Sequence, residues 1–352
     1  MAYISFQPKD YFNTKLFTGT GSSNSVTGVG FQPDWCWIKN ASSGSNYSHQ
    51  LYDAVRGVTK RIFSDVTTAE ETDAQALTAF GTDGFSVGTN VGVNSNGSTI
   101  VSWNWKANGQ GSSNTDGSIN TTYTSASTTS GFSIVKYTGN GSNGATVGHG
   151  LGAVPAMIAV KNLGGTDSWQ VYHKNSNATP EDYILQLNTT GAAIDNNTMW
   201  NDTAPTSSVF SIGTDNGVNQ NSANYIAYCF AEKKGFSKFG SYTGNGNADG
   251  SFIYTGFRSA MIIFKQSSAS GEKWYIYDNK RNPFNITNSV LFPSASDAES
   301  SATTGAPIDI LSNGFKLRGT DAAGNGSGST YIYMAFSDQS IVSSNGVPAV
   351  AR

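Results

Sequence analysis

The side chains able to do chemistry are few and recur at matched places. Asp53-x-x-Arg56 returns as Asp278-x-x-Arg281 and, altered, as His173-x-x-Ser176. A carboxylate and a guanidinium three residues apart at a loop end can clamp a polar ligand through charge-assisted hydrogen bonds. The same pair can close on itself and pin the loop. Trp169 and Trp274 stand at matched positions, with His49 in the first copy. Exposed, such rings would stack on sugars; buried at the start of period-two strands, they are core. Asp53, Arg56, His173, Asp278 and Arg281 are therefore the candidate binding residues, and both readings stay open for them.

Other chemistry finds less support. The three histidines, His49, His149 and His173, form neither HExxH nor a Cys/His cluster, which argues against a catalytic zinc. His149 sits in the turn GHGLG. The glycines of TGNG and GHGLG open no helix after a nucleotide-loop pattern, and no GxSxG elbow occurs. Asp83, Asp215 and Asp321 lie in Gly-rich loops but lack the spacing of a calcium loop. Glycoside cleavage needs two carboxylates facing one cleft; Glu70 and Glu299 occupy similar segments without forming an obvious pair. The expectation is no catalytic residue, no metal ligand and no cofactor, with a glycan-cleaving enzyme the least favoured reading. Cys36 and Cys229 read as small buried thiols.

These residues hang on a repeated frame. The landmarks FTGTG…WCWIK, YTGNG…MIAVK and YTGNG…MIIFK end at Lys39, Lys161 and Lys265. Tyr52, Tyr172 and Tyr277 follow, then Phe85, Phe210 and Phe315, then closing apolar strands. The step between copies is roughly 105 to 125 residues, domain-sized rather than solenoid-sized. The predicted fold is all-β: three tandem homologous β-sandwich, jelly-roll-like domains. Residues 1–12 form an N-terminal arm, 13–106 repeat 1, 131–234 repeat 2, 235–338 repeat 3 and 339–352 a tail. Residues 107–130, almost wholly Gly, Ser, Thr and Asn, read as a linker. Repeats 2 and 3 then make a fixed pair, with repeat 1 tethered more loosely.

Within a repeat, Trp35-Cys36-Trp37-Ile38 predicts a strand covered on both faces, and Lys39 ends it where it reaches solvent. Thr67–Phe80 is the one predicted helix, of one or two turns, capped by Thr68. In the closing strands Val101, Trp103 and Trp105 share a face, as do Ile226, Tyr228 and Phe230, and Ile332, Met334 and Phe336. Trp37, Trp103, Trp105, Tyr228, Phe230, Met334 and Phe336 are the expected core. The mostly small opposite face is expected to admit a neighbouring sheet or repeat.

Composition narrows the setting. Charged residues make 13 % of the chain and the net charge is −3, so no basic footprint for nucleic acid exists. No apolar run approaches the ~20 residues of a membrane helix. MAYISFQPKDYF shows no secretory signal pattern.

Several long strings carry a resemblance. MAYISFQPKDYFNTKLFTGTG, GFQPDWCWIKN, WNWKANG, GFSIVKYTGNG, VGHGLGAVPAMI and YIAYCFAEKKGFSKFGSYTGNG resemble virion proteins of tailed marine bacteriophages. The likeness runs from the arm through repeat 3. One departure is Ser259, where the pattern has Pro. The resemblance implies a structural particle component, a tail fibre or tail-tip protein that contacts the host surface. A capsid-surface decoration protein or a glycan-binding module is the alternative. It also implies synthesis in a host cytoplasm, residence in the virion, other virion proteins and possible host-surface glycan as partners, and self-association. The low charge and small-residue faces suit a homo-oligomer; a trimer follows from the likeness to fibres alone.

Overall fold

The computed structural model describes residues 6–42, 44, 46–301 and 306–339. The chain is nearly all β, in several antiparallel sheets. Each repeat opens on a strand (Phe12–Thr18, Phe132–Thr138, Ser237–Thr243) that pairs with its closing strand (Thr99–Trp105, Asn224–Phe230, Thr330–Phe336). The closing strand pairs on its other edge with Trp35–Asn40, Met157–Asn162 or Met261–Gln266. A fourth strand follows outward: Gln50–Asp53, Gln170–His173 or Tyr275–Asp278. A smaller sheet in each repeat is built on Gly84–Val87, Val209–Ile212 or Gly314–Leu317.

Alternation along these strands sends successive side chains to two different cores. Ile38 and Cys36, Ala227 and Cys229, or Tyr333 and Ala335 enter a core private to one repeat, against its small sheet. Trp35, Trp37, Trp103 and Trp105 point the other way, into a core that also holds Tyr228 and Phe230 from repeat 2 and Met334 and Phe336 from repeat 3. All of these side chains are buried. At its centre Trp105, Phe230 and Phe336, equivalent in register, form a triangle with ring centroids 5.6–6.5 Å apart. An enclosed apolar void of about 20 Å³ lies among Trp35, Tyr228, Trp274 and Met334, barely the room one water needs.

Five expectations change. The small face of the closing strands admits a neighbouring sheet, the smaller one of its own repeat, but it is the large face that meets the other repeats. Repeat 1 is not loosely tethered, because its tryptophans share this core. Residues 107–130 are not a bare linker: Tyr123–Ser127 pairs with Phe132–Lys136, and Ile119 bridges Val147. Their Ser and Thr side chains bond within the segment, as in Ser113 Oγ to Thr121 O at 2.8 Å, and into the strand Ala145–Gly148, as in Thr146 N–H to Ser118 Oγ at 2.8 Å. Thr67–Phe80 is not helical but carries the short strand Glu71–Thr72 and the strand Leu77–Gly81, consistent with its missing 3.6-residue stripe. Lys39 does not reach solvent; it is fully buried. In the arm, the Phe6 ring lies 5.3 Å from Phe236 of repeat 3. Residues 1–5 of the arm and 340–352 of the tail lie outside the described residues.

Candidate functional site

Asp53 and Arg56 pair with each other inside the protein, their side chains 0 % and 1 % exposed. Arg56 Nη2 also donates to Leu51 O at 2.9 Å, and Nη1 lies 3.3 Å from Glu70. The remaining partner comes from repeat 2: the Tyr228 hydroxyl donates to Asp53 Oδ2 at 2.8 Å. Burial opposes the charge on Arg56, but Asp53, helped by Tyr228 and Glu70, outweighs it and raises the guanidinium pKa.

Asp278 and Arg281 repeat this arrangement against repeat 1. Arg281 Nε donates to Asp278 at 2.6 Å and Nη1 to Glu299 at 3.0 Å. Trp103 Nε1 donates to Asp278 at 3.3 Å, and the guanidinium lies 5.7 Å from the Trp103 ring centroid. Trp103 and Tyr228 occupy the same register position.

His173 makes the third contact, repeat 2 onto repeat 3. Its Nε2 lies 3.1 Å from Tyr333 O, and its Nδ1 accepts from Asn175 N–H at 3.2 Å. With one nitrogen bonded to a carbonyl and the other to an N–H, the ring is held as the neutral Nε2–H tautomer. Burial lowers its pKa to about 4.

Two further sets run round the same three junctions. Lys39, Lys161 and Lys265 are wholly buried. Their ammonium groups donate to carbonyls of the next repeat: Ser296 at 3.2 Å, Thr67 at 3.1 Å and Thr190 at 3.4 Å. Burial lowers each pKa to about 8. Beside them, main-chain bonds join Glu70 N–H to Leu163 O, Ala193 N–H to Ser267 O and Glu299 N–H to Ala41 O, at 2.8–3.0 Å. Trp169 and Trp274 are buried and donate across junctions too, to Phe63 O at 2.7 Å and Gln186 O at 3.0 Å. The corresponding His49 has the Phe292 peptide as a neighbour but makes no hydrogen bond through Nε2. The lysine and main-chain sets each link 1 to 2, 2 to 3 and 3 to 1, so the ring closes.

The five candidate binding residues thus form no open clamp. They are brought together in function, as equivalent buried braces, but not in one place. The lysines stand out in the sequence as matched landmarks after fully apolar strands, but the reading of Lys39 there as a strand end at solvent gives way to one of all three as buried braces. His149 is a turn residue, with Nδ1 accepting from Leu151 N–H at 3.2 Å. Asp83 accepts from Gly28 and Gly30 N–H, at 2.9 and 2.7 Å, which lowers its pKa. Asp215 accepts from Gly217 N–H. Cys36 and Cys229 are free, buried in two different private cores. Among the described residues no three His, Cys, Asp or Glu side chains converge as a metal site would require.

An open cleft of about 300 Å³ lies on repeat 1, lined by Asn46, Tyr47, Gln50, Arg61, Phe63 and Asn90 among others. Arg61 lies 5.2 Å from the Phe63 ring centroid and pairs with Glu71 at 2.9 Å and Asp73 at 2.7 Å. Asn90 Nδ2 donates to Asp73 at 2.6 Å, Gln50 Nε2 to Asn90 Oδ1 at 3.4 Å, and the Tyr52 hydroxyl to Gln50 Oε1.

A family model described as "Domain of unknown function (DUF7483)" matches residues 7–340. No curated protein and no solved structure matches the chain.

Proposed function

We propose that this chain, which belongs to the DUF7483 family, is a structural component of a tailed bacteriophage particle. In this reading three homologous β-sandwich domains close into one pseudo-threefold block. The observation that supports it most is the ring of equivalent contacts. The side chains best suited to chemistry, Asp53, Arg56, His173, Asp278 and Arg281, brace one repeat against the next and meet no open cleft. A chain built this way is suited to bearing load and presenting loops. The placement on a particle, as tail fibre or tail tip before capsid decoration, rests on the resemblance of its long sequence strings.

Self-association belongs to the same proposal. A threefold arrangement inside one chain removes the need for a trimer to generate that geometry. Light scattering on the purified chain distinguishes a single block from a homo-oligomer. The particle assignment is tested by mass spectrometry and immunogold labelling of purified virions of a phage encoding the chain. Few copies at the tail support the first placement, and many copies over the head support decoration. Absence from virions removes both.

A second reading, a glycan-binding module, draws on the cleft of repeat 1. It is compatible with the first, since a particle protein can carry a receptor site.

A further inference from the structure

We infer that the cleft on repeat 1 is a binding site for a neutral pyranose sugar. This rests on the binding-module reading and is independent of where the chain sits on a particle.

The first argument is that the cleft replaces core. The strand register places Arg61 where repeat 2 has Ile184 and repeat 3 has Val290. Both are buried in the private cores of their repeats. A sandwich that needed only to fold would put an apolar residue at position 61 as well. Repeat 1 instead holds a guanidinium there and keeps it in place with Glu71 and Asp73.

The second argument is the chemistry of the lining. At about 300 Å³ the cleft is at the small end of the range for small-molecule sites. Phe63 and Tyr47 supply ring surface. The side-chain amides of Asn46, Gln50 and Asn90 each carry donor and acceptor groups, which match vicinal hydroxyls that also do both. Asn90 and Gln50 are fixed before any ligand arrives, by Asp73 and Tyr52 respectively. Pre-organised polar groups lose little on binding.

The third argument is charge. Arg61 is answered by two carboxylates, so the site has no unpaired cation to offer. A phosphate, a sulfated sugar or a sialic acid would meet Glu71 and Asp73 and be disfavoured. A purely apolar ligand would make no use of the hydrogen-bonding capacity the amides retain beyond their bonds to Asp73, Tyr52 and each other. What remains is an uncharged, hydroxyl-rich ring.

The test uses the full chain and ligand-observed saturation-transfer NMR, followed by calorimetric titration. The probes are the methyl glycosides of glucose, galactose, mannose and N-acetylglucosamine, with sialyllactose and a nucleoside monophosphate as charged comparisons. Saturable binding of at least one neutral glycoside is expected. Tyr47→Ala, at a partly exposed position, should weaken it roughly tenfold, the weight of one ring contact, with an unchanged melting temperature. Arg61→Gln is the second variant, read against its own melting curve. No saturable binding of any neutral glycoside overturns the inference, as does preference for a charged probe. Binding that survives both substitutions places the sugar elsewhere and overturns it too. None of these results bears on whether the chain is found in virions.

Discussion

At the brace position the junction of repeat 1 with repeat 2 is ionic and that of repeat 2 with repeat 3 is neutral, the latter having its ion pair beside the brace, where Glu232 meets Lys238 at 2.7 Å. At the first, Arg56 pairs with Asp53 and Glu70, and Asp53 and Arg56 meet the Tyr228 hydroxyl. At the second, the same register positions carry His173, Ser176, Ala193 and Met334, and the contact reduces to His173 Nε2 on Tyr333 O. All four positions differ together. A buried carboxylate needs a donor from the facing strand, and Tyr228 or, at the third junction, Trp103 supplies it. An imidazole facing a carbonyl needs none, and there the closing strand has Met334. Two chemically distinct solutions therefore hold one geometry, which argues that the geometry is what matters. The lysine and main-chain contacts are kept at all three junctions and mark its invariant part.

The strongest way to break this comparison is to half-convert one junction. Arg56→Met leaves Asp53 buried without its cation, a change that costs roughly 3–5 kcal/mol in comparable pairs. Chemical denaturation should show it as a lower midpoint. The full exchange Asp53→His, Arg56→Ser, Glu70→Ala and Tyr228→Met should recover most of the loss, because it copies the neutral junction. A quadruple variant no more stable than Arg56→Met would show that the two junctions are not interchangeable.

Trp105→Ala tests the centre where all junctions meet. Emptying that corner of the aromatic triangle should cost roughly 3–5 kcal/mol. The loss should appear as one transition, coincident by fluorescence and circular dichroism. Separate melting of repeat 1, with repeats 2 and 3 left folded, would deny the shared core its role.

How much of this was legible beforehand depended on the range of the interaction. The all-β class, the strand alternation at Val101–Trp105 and the doubly covered strand at Trp35–Ile38 depend on neighbours within a few residues, and the period of the apolar residues exposed them. What covers Lys39 does not: its partner Ser296 is 257 residues away, and a lysine after an apolar run looks like a strand leaving the protein. The segment 107–130 misled because the small polar residues that make linkers also make edge strands when their hydroxyls find partners. Asp53 and Arg56 were noticed as a pair, but Tyr228 lies 175 residues from Asp53. The choice between ligand clamp and brace turned on that third residue.

The neutral junction should announce itself in acid. His173 has a folded pKa of about 4, below the ordinary value near 6.5. Between those two values the unfolded chain binds the extra proton and the folded chain does not, so stability is lost as pH falls through that window. At pH 5 the contribution is about 2 kcal/mol. His173→Gln keeps a donor for Tyr333 O and removes the titration. Melting curves at pH 7 and pH 5 should therefore show the wild type losing more than the variant. Equal losses would mean that His173 can take up its proton without leaving the contact.

The last effect concerns the part common to all junctions and runs in the same pH direction as that of His173, but at the alkaline end. Lys161 has a folded pKa lowered to about 8 by burial, against an ordinary value near 10.4. Below pH 8 the ammonium is charged in both states, and the protein bears the cost of burying it, eased by bonds to Thr67, Asn162 and Asp167 carbonyls. Between about 8 and 10.4 the unfolded chain keeps the proton and the folded chain releases it, so this residue's contribution rises with pH. Buried cysteines and tyrosines titrate nearby with the other sign: Cys229 is pushed up to about 12, and Tyr137 and Tyr242 are also raised by burial. A bare pH profile would mix these terms. Comparing the wild type with Lys161→Met cancels them, since both proteins carry the same thiols and phenols. The wild type should gain on the variant by about 2 kcal/mol between pH 7.5 and pH 10, read from denaturant midpoints. A constant difference would show that the ammonium stays charged at the junction, held by its carbonyls more firmly than burial opposes it.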